Sequence, residues 1–205
     1  ARRSPCAWRN WGDSWWRFAG RTARERADRE AQPSPANPRP DPGANDLTMP
    51  TGLVYHDAFL AHDTGPTHPE RPSRLRAILQ TLEQHHHLDA MPRLEAAPAT
   101  RADLETLHDP AYVQRVFDAA ARDRPYVDTP ECPLSPGTLD AALLAVGGVF
   151  AAVDAVMAGE VDNAFCAVRP PGHHAEADRA TGFCFFGNVA LAAERLMRRH
   201  GLSRV

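Results

Sequence analysis

Asn163-Ala-Phe-Cys-Ala-Val168 runs without a break into Arg169-Pro-Pro-Gly-His-His-Ala-Glu176. The first part is a continuous run of small and apolar residues, the pattern of a parallel strand buried on both faces. The second holds two prolines, a glycine and two adjacent histidines, a composition that ends the strand and fixes a turn. Open parallel sheets place their ligand sites in the loops outside the carboxyl ends of their strands. Position alone therefore marks 169–176 as the first place to look for chemistry. A backbone held by Pro170, Pro171 and Gly172 suits a loop that must keep two imidazoles still. Imidazole titrates near neutrality, so adjacent histidines can divide the work, one moving a proton and the other balancing charge. A plain surface pair of histidines is the competing reading of the same residues.

Upstream, Thr51–Tyr55 predicts a short strand and 56–71 a polar loop containing Gly and Pro. A helix starts near Pro72, with Leu75, Ile78, Leu79 and Leu82 on one buried stripe. Thr100 with Asp103 predicts a capped short helix. Asp109-Pro110 opens another, with Val113, Val116, Phe117 and Ala120 on one face. Ser135-Pro136 starts the longest helix, apolar nearly all round and closed by Gly159. With Asp140 and Asp154 in it, that helix reads as a buried core element and not as a membrane span. After the histidine loop, Asn188 caps a helix carrying Val189, Leu191, Ala192 and Leu196. It ends in Arg198, Arg199, His200 and Gly201, and Leu202–Val205 should lead into a further strand. The order strand, helices, strand, helix, strand argues for an α/β fold, a parallel sheet with helices on both faces.

Composition narrows the function classes. The chain has 23 arginines and no lysine against 26 acidic residues, a formal net charge of −3. No global basic field points to nucleic acid as a direct partner. No apolar run of membrane-spanning length and no secretory-type N-terminus is visible, so a cytoplasmic location without membrane association is expected. Cys6, Cys132, Cys166 and Cys184 form no CxxC pair and read as free thiols. Residues 1–48 hold all four tryptophans and the proline-dense stretch 32–44. They read as a disordered or non-native extension, with 49–205 as the folded unit. A nucleic-acid-contacting arm is the competing reading.

Two further stretches bear on chemistry. In Thr181-Gly-Phe-Cys-Phe-Phe-Gly-Asn188, glycines bracket aromatics, which can shape a narrow apolar slot with Gly182 allowing close backbone approach. Core packing of Phe183, Phe185 and Phe186 explains the same residues. The loop His62–Arg74 matches no defensible metal-ligand spacing, and His85-His86-His87 reads as a solvated helix end.

In order along the chain, Val54-Tyr-His-Asp57, His68-Pro-Glu-Arg-Pro-Ser-Arg-Leu75, Leu107-His-Asp-Pro-Ala-Tyr-Val113, Ser135-Pro-Gly-Thr138, Arg169–Glu176 and Gly182-Phe-Cys184 resemble the histone deacetylase family. The likeness is to its bacterial, class II-like or acetylpolyamine amidohydrolase-type branch, and it runs continuously from Met49. It implies the arginase/deacetylase fold, of which this chain would hold the N-terminal half, with the sheet incomplete. It also implies a Zn2+-dependent amidohydrolase acting on acetyl-lysine proteins or acetylated amines. By motif, His174 matches the general base and acid and His173 its electrostatic partner. Gly182 and Phe183 match the wall of the acyl-lysine tunnel, Arg74 an arginine of an inner cavity beneath the metal, and Asp128 the rim aspartate that holds substrate backbone. The zinc ligands and the carbonyl-polarising tyrosine are implied to lie beyond Val205, so no metal ligand is expected here. The chain alone is then expected to be inactive, to bind zinc weakly and to be poorly soluble. A non-catalytic binding or regulatory module on the same half-fold, and a small-molecule (polyamine) deacylase, stand as alternatives.

Overall fold

Two short parallel strands organise the residues that a computed structural model describes, 50–205. The extension 1–48, with its tryptophans and Cys6, and Met49 lie outside the described residues. Strand β1 (Thr51–Val54) pairs with β2 (Asn163–Cys166) in the register Thr51 to Asn163 through Val54 to Cys166. Between them come a 3-10 turn (Asp57–Ala61), α1 (Pro72–Gln84), a second 3-10 turn (Leu88–Ala90), α2 (Arg101–Leu104), α3 (Pro110–Ala121) and α4 (Thr138–Ala158). Helix α5 (Asn188–Arg199) follows β2. On its other edge β1 is extended by Arg93: the Leu53 N–H donates to Pro92 O at 2.8 Å and the Leu94 N–H to Leu53 O at 2.9 Å.

The parallel pairing agrees with the element order read from the sequence, but the expected burial of β2 does not hold. Phe165 is 40 % exposed, and the strand alternates exposed and half-buried positions. Strand β1 lies inside, with Leu53 and Val54 fully buried.

Local chemistry sets most helix starts. Thr100 and Asp103 form a reciprocal capping box for α2, and Asp109 Oδ1 accepts the Ala111 N–H at 2.7 Å at the start of α3. Several local details differ from expectation. Helix α4 begins at Thr138, because Ser135-Pro-Gly forms a turn in which Thr138 Oγ1 accepts the Ser135 N–H at 2.8 Å. Asn188 does not cap α5; its side-chain amide donates to Pro170 O at 3.3 Å, so it serves the histidine loop. On α1 only Leu75 is buried and Ile78 is exposed, because this helix packs mainly against the two 3-10 turns. Leu202–Val205 forms no strand.

Helix α4 is long and apolar enough to cross a bilayer, yet here it is the shared wall of two cores. Leu144 and Ala145 pack with Leu53, Phe59 and Leu75. Val146 and Phe150 pack with Leu104, Tyr112, Val116, Phe186 and Leu191. Gly147 and Gly148 permit this: a Cβ on Gly147 would fall 1.7 Å from Ala97 O, and one on Gly148 2.5 Å from Val54 Cγ1. Helix α5 is tied to α4 by Arg195, whose Nε and Nη2 lie 2.9 and 2.5 Å from the Asp154 carboxylate. Cys132 and Cys184 are buried free thiols and Cys166 is a half-buried one.

Candidate active site

The histidine loop starts on a buried ion pair. Arg169 is 3 % exposed; its Nε and Nη2 meet the two carboxylate oxygens of Glu70 at 2.6 and 2.8 Å, and its Nη1 donates to Phe59 O at 2.9 Å. This fork on a carboxylate is the strongest geometry available to a guanidinium. It roots the loop to the segment just before α1. The Arg169–Pro170 peptide is cis. Gly172 then passes so close to α5 that a Cβ would lie 2.5 Å from the Asn188 nitrogen.

The far end of the loop is held by His108. Its Nε2 accepts the Gly187 N–H at 3.0 Å, so Nδ1 carries the proton and donates to Glu176 O at 3.0 Å. Burial lowers the pKa of His108 and keeps this neutral tautomer. The Tyr112 hydroxyl adds a bond to Phe185 O at 2.5 Å. One imidazole and one phenol thus fasten both sides of a loop with no regular secondary structure.

Between these anchors the structure brings together four of the residues singled out in the sequence. The rings of His173 and His174 lie 4.3 Å apart, and both residues are exposed on this chain. His174 rests on Gly182, where an added Cβ would stand 2.6 Å from its ring. Gly182 (φ +56°) and Phe183 (φ +69°) are consecutive left-handed residues. Phe183 meets the His68 ring edge-on at 4.6 Å, so it lines the site, while Phe185 and Phe186 are core. The His174 N–H donates to Cys184 Sγ at 3.4 Å, and burial pushes that thiol up to about 11, which keeps it protonated.

Arg74 and Asp128 both engage groups of their own chain. Arg74 occupies no inner cavity of the described unit: its side chain is 58 % exposed and reaches Glu70 at 3.6 Å, and the buried guanidinium there is Arg169. Its position at the solvent side of the first turn of α1 is the physical reason. The Asp128 carboxylate faces its own chain, accepting Arg115 Nε–H at 2.8 Å and the Ala180 N–H at 2.9 Å. Sequence reading assigned no role to Glu70, Arg169 or His62. Their only signal was a carboxylate, a guanidinium and an imidazole in motifs a hundred residues apart. Concavities of about 580 Å³ beside Asp154 and Arg199, and about 490 Å³ along α3 beside Arg115 and Tyr126, lie away from the histidine pair.

His62 gives the ion pair a pH signature. It is 1 % exposed, with Nδ1 2.9 Å from Thr138 Oγ1. Burial, with Arg169 nearby, brings its pKa down from 6.5 to about 4. Glu70 at 3.8 Å pulls the other way, but that carboxylate is already neutralised by Arg169. The imidazole is therefore neutral when folded, whereas an unfolded chain protonates it below pH 6.5. Its stabilising contribution is full above that pH and is lost as pH falls to about 4, on the order of 3 kcal/mol. Urea midpoints at pH 7 and 4.5 should separate more for this chain than for His62→Asn, which keeps a partner for Thr138. Equal separations would show that His62 does not carry the effect.

With that geometry in hand, the family model described as "Histone deacetylase domain" matches residues 68–205, more than half of the chain. The chain belongs to the histone deacetylase family. This deacetylase-family chain is 39 % identical over 165 residues to a "Histone deacetylase-like amidohydrolase" of Pseudomonas aeruginosa, covering 80 % of itself and 41 % of that protein. It is 35 % identical over 159 residues to a "Probable deacetylase" of Archaeoglobus fulgidus (77 % and 44 %) and 37 % identical over 166 residues to human "Polyamine deacetylase HDAC10" (77 % and 25 %). Among solved structures, the HDA15 HD domain superposes with a TM-score of 0.67 at 30 % identity, covering 75 % of this chain and 44 % of that one. The chain thus spans less than half the length of each of these proteins, and its fold is part of the arginase/deacetylase fold.

Proposed function

We propose that this chain supplies the histidine side of the active site of a zinc-dependent deacylase that removes acetyl groups from lysine side chains or related amines. The observation that carries the reading is the seating of His174: its ring lies on the Gly182 backbone, 4.3 Å from His173, with Phe183 and His68 beside it. An imidazole held on a glycine surface next to a second imidazole is arranged to move a proton at a fixed point. In this role His174 takes the proton of the attacking water and returns it to the leaving amine, while His173 balances the charge. Gly182 and Phe183 flank the alkyl chain of the substrate, and Asp128 stands at the rim.

Zinc, when bound, supplies carbonyl polarisation and a water ionisable near neutral pH. Three protein ligands are needed for that. Among the described residues no three His, Cys, Asp or Glu side chains converge, so the side chains in hand do not make a metal centre. In this reading the ligands belong to the part of the domain that the relatives carry outside the matched stretch.

A chimera in which residues 49–205 replace the matching stretch of the Pseudomonas relative tests the proposal. Loaded with zinc, it should hydrolyse an acetyl-lysine peptide or an N-acetylated polyamine, and the ratio of the two rates assigns the substrate class. Chelation should abolish turnover, and the 205-residue chain alone should show none. A folded, zinc-loaded chimera inert on both substrates would overturn the reading. Turnover by the chain alone would overturn the shared-site part of it.

A further inference from the structure

The backbone under His174 is that of Gly182, which with Phe183 forms a pair of consecutive left-handed residues. Phenylalanine in that region is costly, so something around it must over-determine the conformation. Part of the answer lies inside the turn, where the Thr181 N–H donates to Cys184 O at 3.2 Å and the Cys184 N–H to Thr181 O at 3.0 Å. The amides of Ala180 and Gly182 are left for other acceptors. Both are met by carboxylates three residues apart on the loop between α3 and α4. Asp128 Oδ2 accepts the Ala180 N–H at 2.9 Å, and Asp128 is itself gripped by Arg115. Glu131 Oε1 accepts the Gly182 N–H at 2.8 Å and lies 3.0 Å from Thr181 Oγ1, whose hydroxyl donates to it.

Glu131 is exposed, and a free glutamate there would sample many rotamers. Two donors converging on one oxygen select a single position. Those bonds, the Gly182 amide first, hold its carboxyl below the ordinary range, with the His174 and Arg179 side chains facing it. Gly182 is also the residue on which the His174 ring sits, since a Cβ there would be 2.6 Å from both Cγ and Cδ2 of the ring. Any tilt of the Gly182 peptide therefore moves the imidazole.

We infer that Glu131 is a positioning residue for His174, holding the Gly182 amide so that the glycine surface stays fixed beneath the ring. The inference takes from the deacylase reading only the reaction that His174 serves. Glu131→Gln keeps an acceptor oxygen at the same reach and should preserve the arrangement; Glu131→Ala removes it.

The test follows the isotopically labelled 205-residue chain by NMR, with Glu83→Ala as a surface control. In Glu131→Ala the Gly182 amide should exchange about tenfold faster and the carbon-bound ring protons of His174 should shift. Glu131→Gln should stay within about twofold of the parent, and melting midpoints should stay within about 2 °C because the residue is exposed. Unchanged Gly182 exchange and His174 shifts in Glu131→Ala would overturn the inference, as would a lowered melting point with His174 unmoved. In an active chimera, Glu131→Ala should lower kcat about tenfold with little change in KM, restored by Glu131→Gln. An inert chimera with the NMR changes present would count against the deacylase reading alone. Absent NMR changes in a chain whose chimera is active would count against the Glu131 inference alone.

Discussion

Arg169→Leu is expected to cost about 3–5 kcal/mol of folding free energy, because it leaves the Glu70 carboxylate buried without its partner. Glu70 is 3 % exposed, and its two oxygens take both arms of the Arg169 fork. The cations that remain are poor substitutes. Arg74 lies 3.6 Å away with its guanidinium mostly in water, and His62 at 3.8 Å is held neutral by burial. Phe59 O also loses its donor. Arg169→Lys keeps the charge but cannot make two parallel bonds, so an intermediate loss of about 1–2 kcal/mol is expected. The double variant Glu70→Gln/Arg169→Met should recover much of the deficit, since removing both charges also removes the burial penalty. Urea denaturation of the four proteins decides the matter. An Arg169→Leu chain within about 1 kcal/mol of the parent would show that the pair is not the root of the loop.

His174→Ala in the zinc-loaded chimera should lower kcat by about 10²–10⁴, the range for losing a general acid–base group, with KM little changed. His173→Ala should cost less, because a charge-balancing neighbour tunes the proton transfer without performing it. The structure supports the asymmetry. His174 is packed on Gly182 and tied through its backbone to Cys184 Sγ, while His173 has the His174 ring as its aromatic neighbour and is otherwise exposed. Equal losses in the two variants would contradict the division of roles. Stability should hardly change in either, since both side chains are exposed on this chain.

Much of this arrangement was legible before folding was considered. The capping box at Thr100 and Asp103, the start of α3 at Asp109-Pro110 and the stop at Gly159 involve partners within a few residues, so local sequence contains the whole interaction. The parallel pairing of β1 with β2 followed from element order, and the histidine loop from its place at the end of a strand. The errors have a common cause. Ser135 and Asn188 are good caps by residue type, but in the fold their neighbourhood contains better uses for their side chains: Ser135 Oγ accepts the Asp63 N–H at 2.9 Å, and Asn188 reaches Pro170 O. Likewise β2 has the composition of a strand buried on both faces, but composition does not say what covers it.

By itself, then, the sequence determined the class of fold and the family and singled out His173, His174, Gly182 and Phe183 as candidates, because motifs and short-range backbone rules act over a few positions. The tertiary structure alone decided what holds those residues in place. Arg169 meets Glu70 across 99 positions, His62 meets Thr138 across 76, and Glu131 meets Gly182 across 51. Bonds of that span come into being only when packed cores bring distant segments together, and no local pattern along the chain records them.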